Sequence, residues 1–201
     1  MLTLPLLRKM LNRAGTELKA NSKYLCELDS VAGDGDHGIT IGRMADVMKE
    51  KTEDTTIDTM RVLLDELGDA FMGINGGSAG PLWGTVFTGM AEGIDDQAEL
   101  TDLELRKMFT QAKEDFMDIS KAKPGDKTMV DALYPAIDAI IETQGSLKEI
   151  MTAAADAGAE QTSTMVARFG RAKNMGERSI GTKDPGAVSI AILFNGMAQA
   201  L

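Results

Sequence analysis

The residues best suited to chemistry lie in one short segment, residues 29–40, called here the acidic loop. Asp29, Asp34 and Asp36 fall within nine residues, together with the only histidine of the chain, His37. Interleaved glycines predict an irregular loop, because Asp and Gly are both poor helix formers. Carboxylates held this close repel one another unless a cation neutralises them, and clustered oxygen ligands suit Mg²⁺ or Ca²⁺. The sequence therefore predicts a metal site in this loop.

Named motifs fit the acidic loop less well than a simple carboxylate site does. The glycines at positions 33–38 match the spacing of the dinucleotide fingerprint, but residues 27–30 are no hydrophobic strand, and the aspartates would repel a pyrophosphate. An EF-hand that began at Asp34 would need an acidic twelfth residue, where Ala45 stands. The Walker A pattern is absent from the sequence. A solvated acidic turn remains the alternative, although it would gain nothing from three close carboxylates.

Three further loops have unusual chemistry, and two of them, the glycine loop and the basic loop, could bind an anion. The glycine loop, residues 75–84, leads into a helix that Pro81 can start, so its free amides could bind phosphate, or it could simply be a tight turn. The lysine loop, residues 120–129, indicates a turn followed by a helix start. The basic loop, residues 168–186, holds five of the 21 basic residues. It has the glycine content of a mobile lid, although a solvated basic loop is the alternative.

The composition excludes several classes of function. The net charge is -10, from 31 acidic and 21 basic residues, which argues against binding to nucleic acid or to anionic membranes. No apolar run is long enough to span a bilayer, and no signal peptide is evident. The single cysteine, Cys26, fits a reducing compartment. We therefore expect a cytoplasmic protein with a single domain over residues 1–201.

Apolar residues recur at helical spacing along almost the whole chain, and no segment alternates as a strand would. Thr101 and Glu104 form a predicted capping box at the start of one helix. The pattern predicts an all-α fold with eight helices near residues 7–18, 44–48, 60–71, 81–93, 101–119, 128–143, 146–169 and 186–200.

Together, the loops describe a site for nucleotide phosphates. Mg²⁺ is usually held by a few carboxylates and shares its remaining positions with substrate phosphates. Phosphoryl transfer depends on positioning and charge neutralisation, which these loops could supply. The residues thus predict a metal-dependent, all-helical nucleotide-binding protein without a P-loop, and they leave the acceptor open.

Several motifs, in the same order, resemble the ADP-binding L subunit of dihydroxyacetone kinase and the nucleotide-binding domain of single-chain, ATP-dependent dihydroxyacetone kinases. They are GDGDHGIT at 33–40, GGSAGPLWG at 76–84, KPGDKTM at 123–129, GERSIG at 176–181 and DPGA at 184–187. The resemblance covers about residues 5–200. It implies a barrel of eight antiparallel helices, with the nucleotide at one end under a lid formed by the loop before the last helix.

The resemblance also implies roles for individual residues. Asp29, Asp34 and Asp36 would coordinate two Mg²⁺ ions that bridge the nucleotide phosphates. The implied nucleotide contacts, with Ser120 and Met129 beside the adenosine, are His37, Gly38, Ile39, Thr40, Ser78, Ala79, Ser120, Met129, Arg171, Asp184, Pro185 and Gly186.

Two forms of the family differ in how the nucleotide is used. In the phosphotransferase-system form, a phosphocarrier M subunit phosphorylates bound ADP to ATP, and a K subunit holds dihydroxyacetone covalently on its own histidine. In the other form, ATP exchanges with solution. The chain has no attached K domain, which favours the separate-subunit form, and we expect a homodimer. The alternatives are an ATP-dependent or paralogous kinase for another short ketose or triose, and a nucleotide-loaded regulator that binds a transcription factor.

Overall fold

A computed structural model describes residues 1–142 and 147–201, and this part of the chain is mostly helical, as predicted. Its nine α-helices are α1 Leu4–Ala20, α2 Ser22–Asp29, α3 His37–Glu53, α4 Met60–Met72, α5 Ala79–Glu92, α6 Asp102–Ile119, α7 Val130–Glu142, α8 Leu147–Gln161 and α9 Pro185–Gln199. Two short strands, β1 Leu2–Thr3 and β2 Glu99–Leu100, pair antiparallel beside the starts of α1 and α6. None of these helices is both long and apolar enough to cross a membrane.

Eight of the helices form a closed ring around one hydrophobic core. Each packs against the next in the order α1, α3, α4, α5, α6, α7, α8 and α9, and α9 packs against α1. The helices α3, α5, α7 and α9 begin at one end of the ring, and the helices that precede them end there. Neighbouring helices therefore alternate in direction, as the predicted antiparallel barrel requires. The short helix α2 packs on α3 and α9 beside this end.

The additional helix is α2, which the sequence pattern did not reveal. Only Leu25 of its eight residues is fully buried, so the segment shows no repeating apolar face. Short segments with a single buried residue give too little periodicity to be recognised. The consequence for the site is that Asp29 lies at the last residue of a helix and not in a free loop.

The predicted helix over 146–169 is wrong at its C-terminal end, because α8 stops at Gln161. The next residues, Thr162–Thr164, form a 3₁₀ turn. Their hydroxyls donate to carbonyls three residues earlier, with distances of 2.6 Å from Thr162 and 2.7 Å from Ser163. Such local bonds compete with the helical ladder. The predicted helix ends at residues 143 and 146 lie outside the described residues.

Candidate functional site

A cavity of about 580 Å³ opens at the end of the barrel where α3, α5, α7 and α9 begin. The first residues of these helices, His37, Ala79, Val130 and Pro185, all line it. Four helix N-termini aim their positive dipole ends at the same space, which favours an anionic ligand. Apolar side chains form part of the wall, among them Leu28, Leu82, Trp83, Phe116 and Met129.

The carboxylates of the acidic loop meet at one edge of this cavity. One oxygen each from Asp29, Asp34 and Asp36 lies within 4.8 Å of the other two. Asp29 also orients the loop, because its Oδ2 accepts hydrogen bonds from the backbone amides of Asp36 at 3.0 Å and His37 at 3.3 Å. Asp34 and Asp36 are exposed, so an ion can reach them. An all-oxygen set of this kind fits Mg²⁺ or Ca²⁺.

Arg171 of the basic loop supplies positive charge to the same cluster. Its guanidinium forms an ion pair with the Asp34 carboxylate. This hydrogen bond is the main reason that the pKa of Asp34 lies below its ordinary value. The pKa of Asp36 is raised instead, by desolvation first and by the nearby negative charge of Asp34 second. The cluster therefore contains more negative charge than Arg171 alone neutralises.

His37 lies behind the carboxylates and joins α3 to α9. Its Nε2 lies 3.2 Å from Ser189 Oγ, and the ring also hydrogen-bonds to the backbone of Pro185. Burial is the main cause that lowers the pKa of His37 below its ordinary value. The imidazole is therefore neutral at pH 7, and its ring is already hydrogen-bonded to Ser189 and Pro185.

Gly38, Ile39 and Thr40 do not belong to the residues that line the cavity. Gly38 lets α3 touch the start of α2, since a Cβ there would lie 1.8 Å from the carbonyl oxygen of Ser22. Ile39 is 54% exposed, whereas Thr40 is buried beneath the glycine loop, where a Cβ on Gly76 would lie 2.2 Å from Thr40 Oγ1. These positions shape the site, and their contact with a nucleotide stays a prediction.

The glycine loop presents open backbone amides to the cavity. Ser78 and Ala79 line it together with Gly76 and Gly77. Ser78 is the N-cap of α5 but its side chain makes no capping hydrogen bond, so the first amides of the helix remain available to a ligand. Pro81 lies in the first turn, where a missing N–H costs no hydrogen bond. The geometry fits the predicted anion site.

The lysine and basic loops also line the cavity. Ser120 and Met129 line it, as do Arg171 and the predicted trio Asp184, Pro185 and Gly186. The structure therefore brings every predicted site residue to this cavity except the three at positions 38–40. Their individual roles toward a nucleotide remain predictions.

Asp184 is the N-cap of α9, and its Oδ2 accepts from the amide of Ala187 at 2.7 Å. The residue as a whole is only partly buried, but its carboxylate is removed from solvent. This desolvation raises the pKa of Asp184 to about 7, although the nearby Lys127 ammonium opposes the shift. The side chain thus caps the last helix from beneath the cavity.

Sequence reasoning missed Lys127, which also lines the cavity and is only 4% exposed. A lysine between Asp126 and Thr128 looks like any surface lysine in a polar turn. The one signal that could have marked it is Asp131, whose carboxylate accepts from the amides of Gly125 and Thr128 and thereby shapes the loop around Lys127. Other lining residues that the prediction did not name individually include Gly76, Gly77, Thr128, Phe169, Gly170 and Lys183.

Comparisons with known proteins agree with this arrangement. The family model described as the DAK2 domain matches residues 31–199. The chain is 34% identical to the PEP-dependent dihydroxyacetone kinase, ADP-binding subunit DhaL, of Escherichia coli (strain K12), over 94% of this chain and 93% of that protein. It is 35% identical to an L-erythrulose kinase of Pectobacterium atrosepticum, over 95% of this chain but 34% of that protein.

A solved structure shows the same fold. The dihydroxyacetone kinase from C. freundii in complex with AMP-PNP and Mg²⁺ superposes with a TM-score of 0.75 at 26% sequence identity. The match covers 98% of this chain and 34% of that one. The chain thus corresponds to about a third of the length of that enzyme.

Proposed function

Because the chain belongs to the DAK2-domain family, we propose that it is the nucleotide-binding, phosphoryl-transfer subunit of a dihydroxyacetone kinase. Family membership over residues 31–199 confirms the resemblance that the motifs predicted. The observation on which the proposal mainly depends is the convergence of three carboxylates, an open helix N-terminus and a basic loop on one cavity. A site with these parts suits a nucleotide whose phosphates are neutralised by a divalent cation.

In this proposal each loop has a separate task. Asp29, Asp34 and Asp36 hold Mg²⁺, with two ions as the working hypothesis, and the bound metal supplies neutralisation of the phosphate charge. The amides at Ser78 and Ala79 bind phosphate oxygens at the positive end of α5. The apolar wall is the place for the adenine ring. The donor set fits the metal, since all three side chains offer oxygen and two of them are exposed.

We further propose that the chain works with two protein partners, a K subunit that holds dihydroxyacetone and an M subunit that phosphorylates bound ADP. His37 is the only histidine of the sequence, and its ring is bonded to Ser189 and Pro185. No other imidazole in this sequence could hold a ketose covalently, which supports the proposal that the K subunit supplies that group. The E. coli relative, similar over nearly its full length, is an ADP-binding subunit of a PEP-dependent kinase.

Another short ketose is the second candidate for the acceptor. The specific observation in its favour is the 35% identity to an L-erythrulose kinase, which is as high as the identity to the dihydroxyacetone kinase subunit. If the partner subunit holds the acceptor, the present chain would serve either sugar with the same site. The same phosphoryl-transfer chemistry therefore applies to both candidates.

Thermal unfolding with ADP alone, Mg²⁺ alone and both together tests nucleotide binding. We expect a large upward shift of the melting temperature only with both present, because a ligand at 100 times its Kd adds about 2.7 kcal/mol to the free energy of unfolding. EDTA should reverse the shift. An unchanged melting temperature with ADP and Mg²⁺ together would show that the proposal is wrong.

A further inference from the structure

We propose that Lys127 is a positioning residue that fastens both ends of the α8–α9 connection, residues 162–184, and so holds the basic loop over the cavity. The proposal rests on contacts of the described residues. Its consequence for nucleotide release also rests on the proposed function, whereas the fastening itself does not.

The ammonium group of Lys127 lies between the two ends of this connection. It donates to the carbonyl of Thr162 at 2.6 Å and also to the carbonyl of Thr182. Thr162 directly follows α8, and Thr182 lies two residues before the N-cap of α9. One cation therefore joins the place where the chain leaves the barrel to the place where it returns.

Neighbouring hydrogen bonds complete the same closure. The amide of Gly181 donates to the carbonyl of Ser163 at 2.7 Å, and the amide of Asp184 donates to Thr162 Oγ1 at 2.9 Å. The two ends of the connection, residues 162–163 and 181–184, are thus held together, and we call this pair of segments the neck. The rest of the basic loop projects from the neck. Loops of this kind move about their neck, so the neck decides where the rest of the loop lies.

The lysine loop contacts the α8–α9 connection at a second point. The amide of Arg168 donates to the carbonyl of Asp126 at 3.1 Å, and Arg168 Nε lies 3.6 Å from Asp126 Oδ1. Asp126 and Lys127 are adjacent, so a single turn of the lysine loop contacts the α8–α9 connection in two places. Lys127 binds the neck, and Asp126 binds Arg168 within the connection. This arrangement places Arg171, three residues further on, beside Asp34.

The backbone of Lys127 is itself strained. Its φ of 60° is the only positive φ of a non-glycine residue in the part of the chain that the structure describes. The left-handed region costs free energy for such a residue and persists only where the surroundings enforce it. Asp131, which is 4% exposed, enforces it by accepting from the amides of Gly125 at 2.5 Å and Thr128 at 2.8 Å.

Burial of an ammonium group is also costly unless it is paired and hydrogen-bonded. Lys127 has two carbonyl acceptors, and the carboxylates of Asp184 and Asp131 face it. An apolar residue would fill the same space without the cost of burying a charge. The retained charge therefore serves to bind the two carbonyls of the neck.

The test compares Lys127→Met, which removes the ammonium and keeps the apolar stem, with Lys123→Met, an exposed lysine of the same loop. Hydrogen exchange of the Gly181 and Asp184 amides is measured in the full chain without nucleotide. We expect exchange at both amides to rise by about tenfold or more in Lys127→Met only, since a hydrogen bond from a charged donor is lost. Trypsin should cut faster after Arg168, Arg171, Lys173 and Arg178.

Two results would overturn the proposal. One is unchanged exchange at both amides in Lys127→Met. The other is an equal acceleration in α1 and α5, which would show a general loss of stability in place of local opening. Lys127→Arg should restore part of the protection, because guanidinium also donates to carbonyls. If Lys127→Met does not fold, Thr162→Val takes its place, and unchanged exchange at the Asp184 amide would then count against the closed neck.

The consequence for the ligand is measured separately. Release of a fluorescent ADP analogue in the presence of Mg²⁺ should be about tenfold faster from Lys127→Met than from the parent or from Lys123→Met. An equal release rate would overturn the link between the neck and the nucleotide. If the parent protein binds no ADP at all, the proposed function is wrong, while the fastening role is still decided by hydrogen exchange.

Discussion

At the scale of single residues, the acidic loop places three carboxylates close together, and the Arg171 guanidinium supplies one positive charge beside them. Arg171 lowers the pKa of Asp34, while the pKa of Asp36 is raised by desolvation first and by repulsion from Asp34 second, and Arg171 offsets this repulsion only in part. A divalent cation would relieve it and would at the same time compete with Arg171 for Asp34. The ion pair would therefore link the position of the basic loop to the occupancy of the proposed metal site.

Replacement of Asp34 or Asp36 by asparagine should abolish stabilisation by ADP with Mg²⁺ and should abolish phosphoryl transfer. Each change removes a charge that the metal needs while it keeps the side-chain shape. Both side chains are exposed, so little apolar packing is lost. Melting without nucleotide should resemble that of the parent. Parental transfer rates in either variant would refute the metal assignment.

Arg171→Ala should weaken nucleotide retention without loss of the fold. The Arg171 side chain is 64% exposed and its ion pair is with a loop residue, so the core is untouched. Retention of ADP through gel filtration measures the effect, and Lys173→Ala is the matched control because it removes an exposed charge from the same loop. Failure of Arg171→Ala to fold would instead mean that the arginine is structural.

Asp184 should make the protein less stable as the pH rises toward neutrality. Its pKa is near 3.8 when unfolded and about 7 when folded, so the folded state binds the extra proton between these values. Its stabilising contribution is complete below pH 4 and is lost as the pH rises through 7. The loss is on the order of 2–4 kcal/mol.

The variant Asp184→Asn isolates this contribution, because asparagine caps a helix but does not titrate. Chemical denaturation at pH 5 and pH 7.5 should show that the parent gains stability relative to the variant at the lower pH. Asp102→Asn, an exposed residue in the first turn of α6, is the control. An equal pH dependence in parent and Asp184→Asn would contradict the assignment.

At the scale of elements, the sequence predicts best what local chemistry decides. The capping box at Thr101 is present, with the Thr101 amide 2.7 Å from Glu104 Oε2. The apolar periods located eight helices because each has a long buried face. The helix α2 was not predicted because it has only one fully buried residue. The helix α8 ends earlier than predicted because three consecutive hydroxyls donate to carbonyls three residues before them.

Thr101→Ala should lower the free energy of unfolding by about 1 kcal/mol, the usual cost of removing an N-cap side chain. Denaturant titration measures it. Thr152→Ala is the control, because the Thr152 hydroxyl bonds only to carbonyls of its own helix. Alanine favours a helix interior, so this control should be neutral or slightly stabilising. Equal losses in both variants would mean that the cap contributes nothing.

At the scale of the whole molecule, the site exists because neighbouring helices alternate in direction around a ring. The alternation brings to one end four loops that lie far apart in the sequence. Composition identified those loops as unusual, but only the ring shows that they line one cavity. The bonds from Lys127 to Thr162 and Thr182 depend on the same closure, which is why no local pattern could predict them.

The whole molecule also sets a limit on what the chain can do alone. Its cavity is lined by carboxylates, a glycine loop and apolar side chains, and its one histidine is hydrogen-bonded inside the fold. We therefore expect that the isolated protein does not phosphorylate dihydroxyacetone, even with ATP and Mg²⁺. Product should appear only when a K-type subunit is added, because that subunit would supply the covalent attachment of the sugar.

Omission of one component at a time makes this prediction decisive. With nucleotide at the concentration of the protein, sustained turnover should also require a phosphocarrier supplied from phosphoenolpyruvate, because each bound ADP can be used again only after it is rephosphorylated in place. Robust turnover by the isolated chain would refute the subunit role. Turnover with the K-type subunit and free ATP, without the phosphocarrier, would identify the ATP-dependent form, and it should then be accompanied by rapid exchange of nucleotide beneath the basic loop.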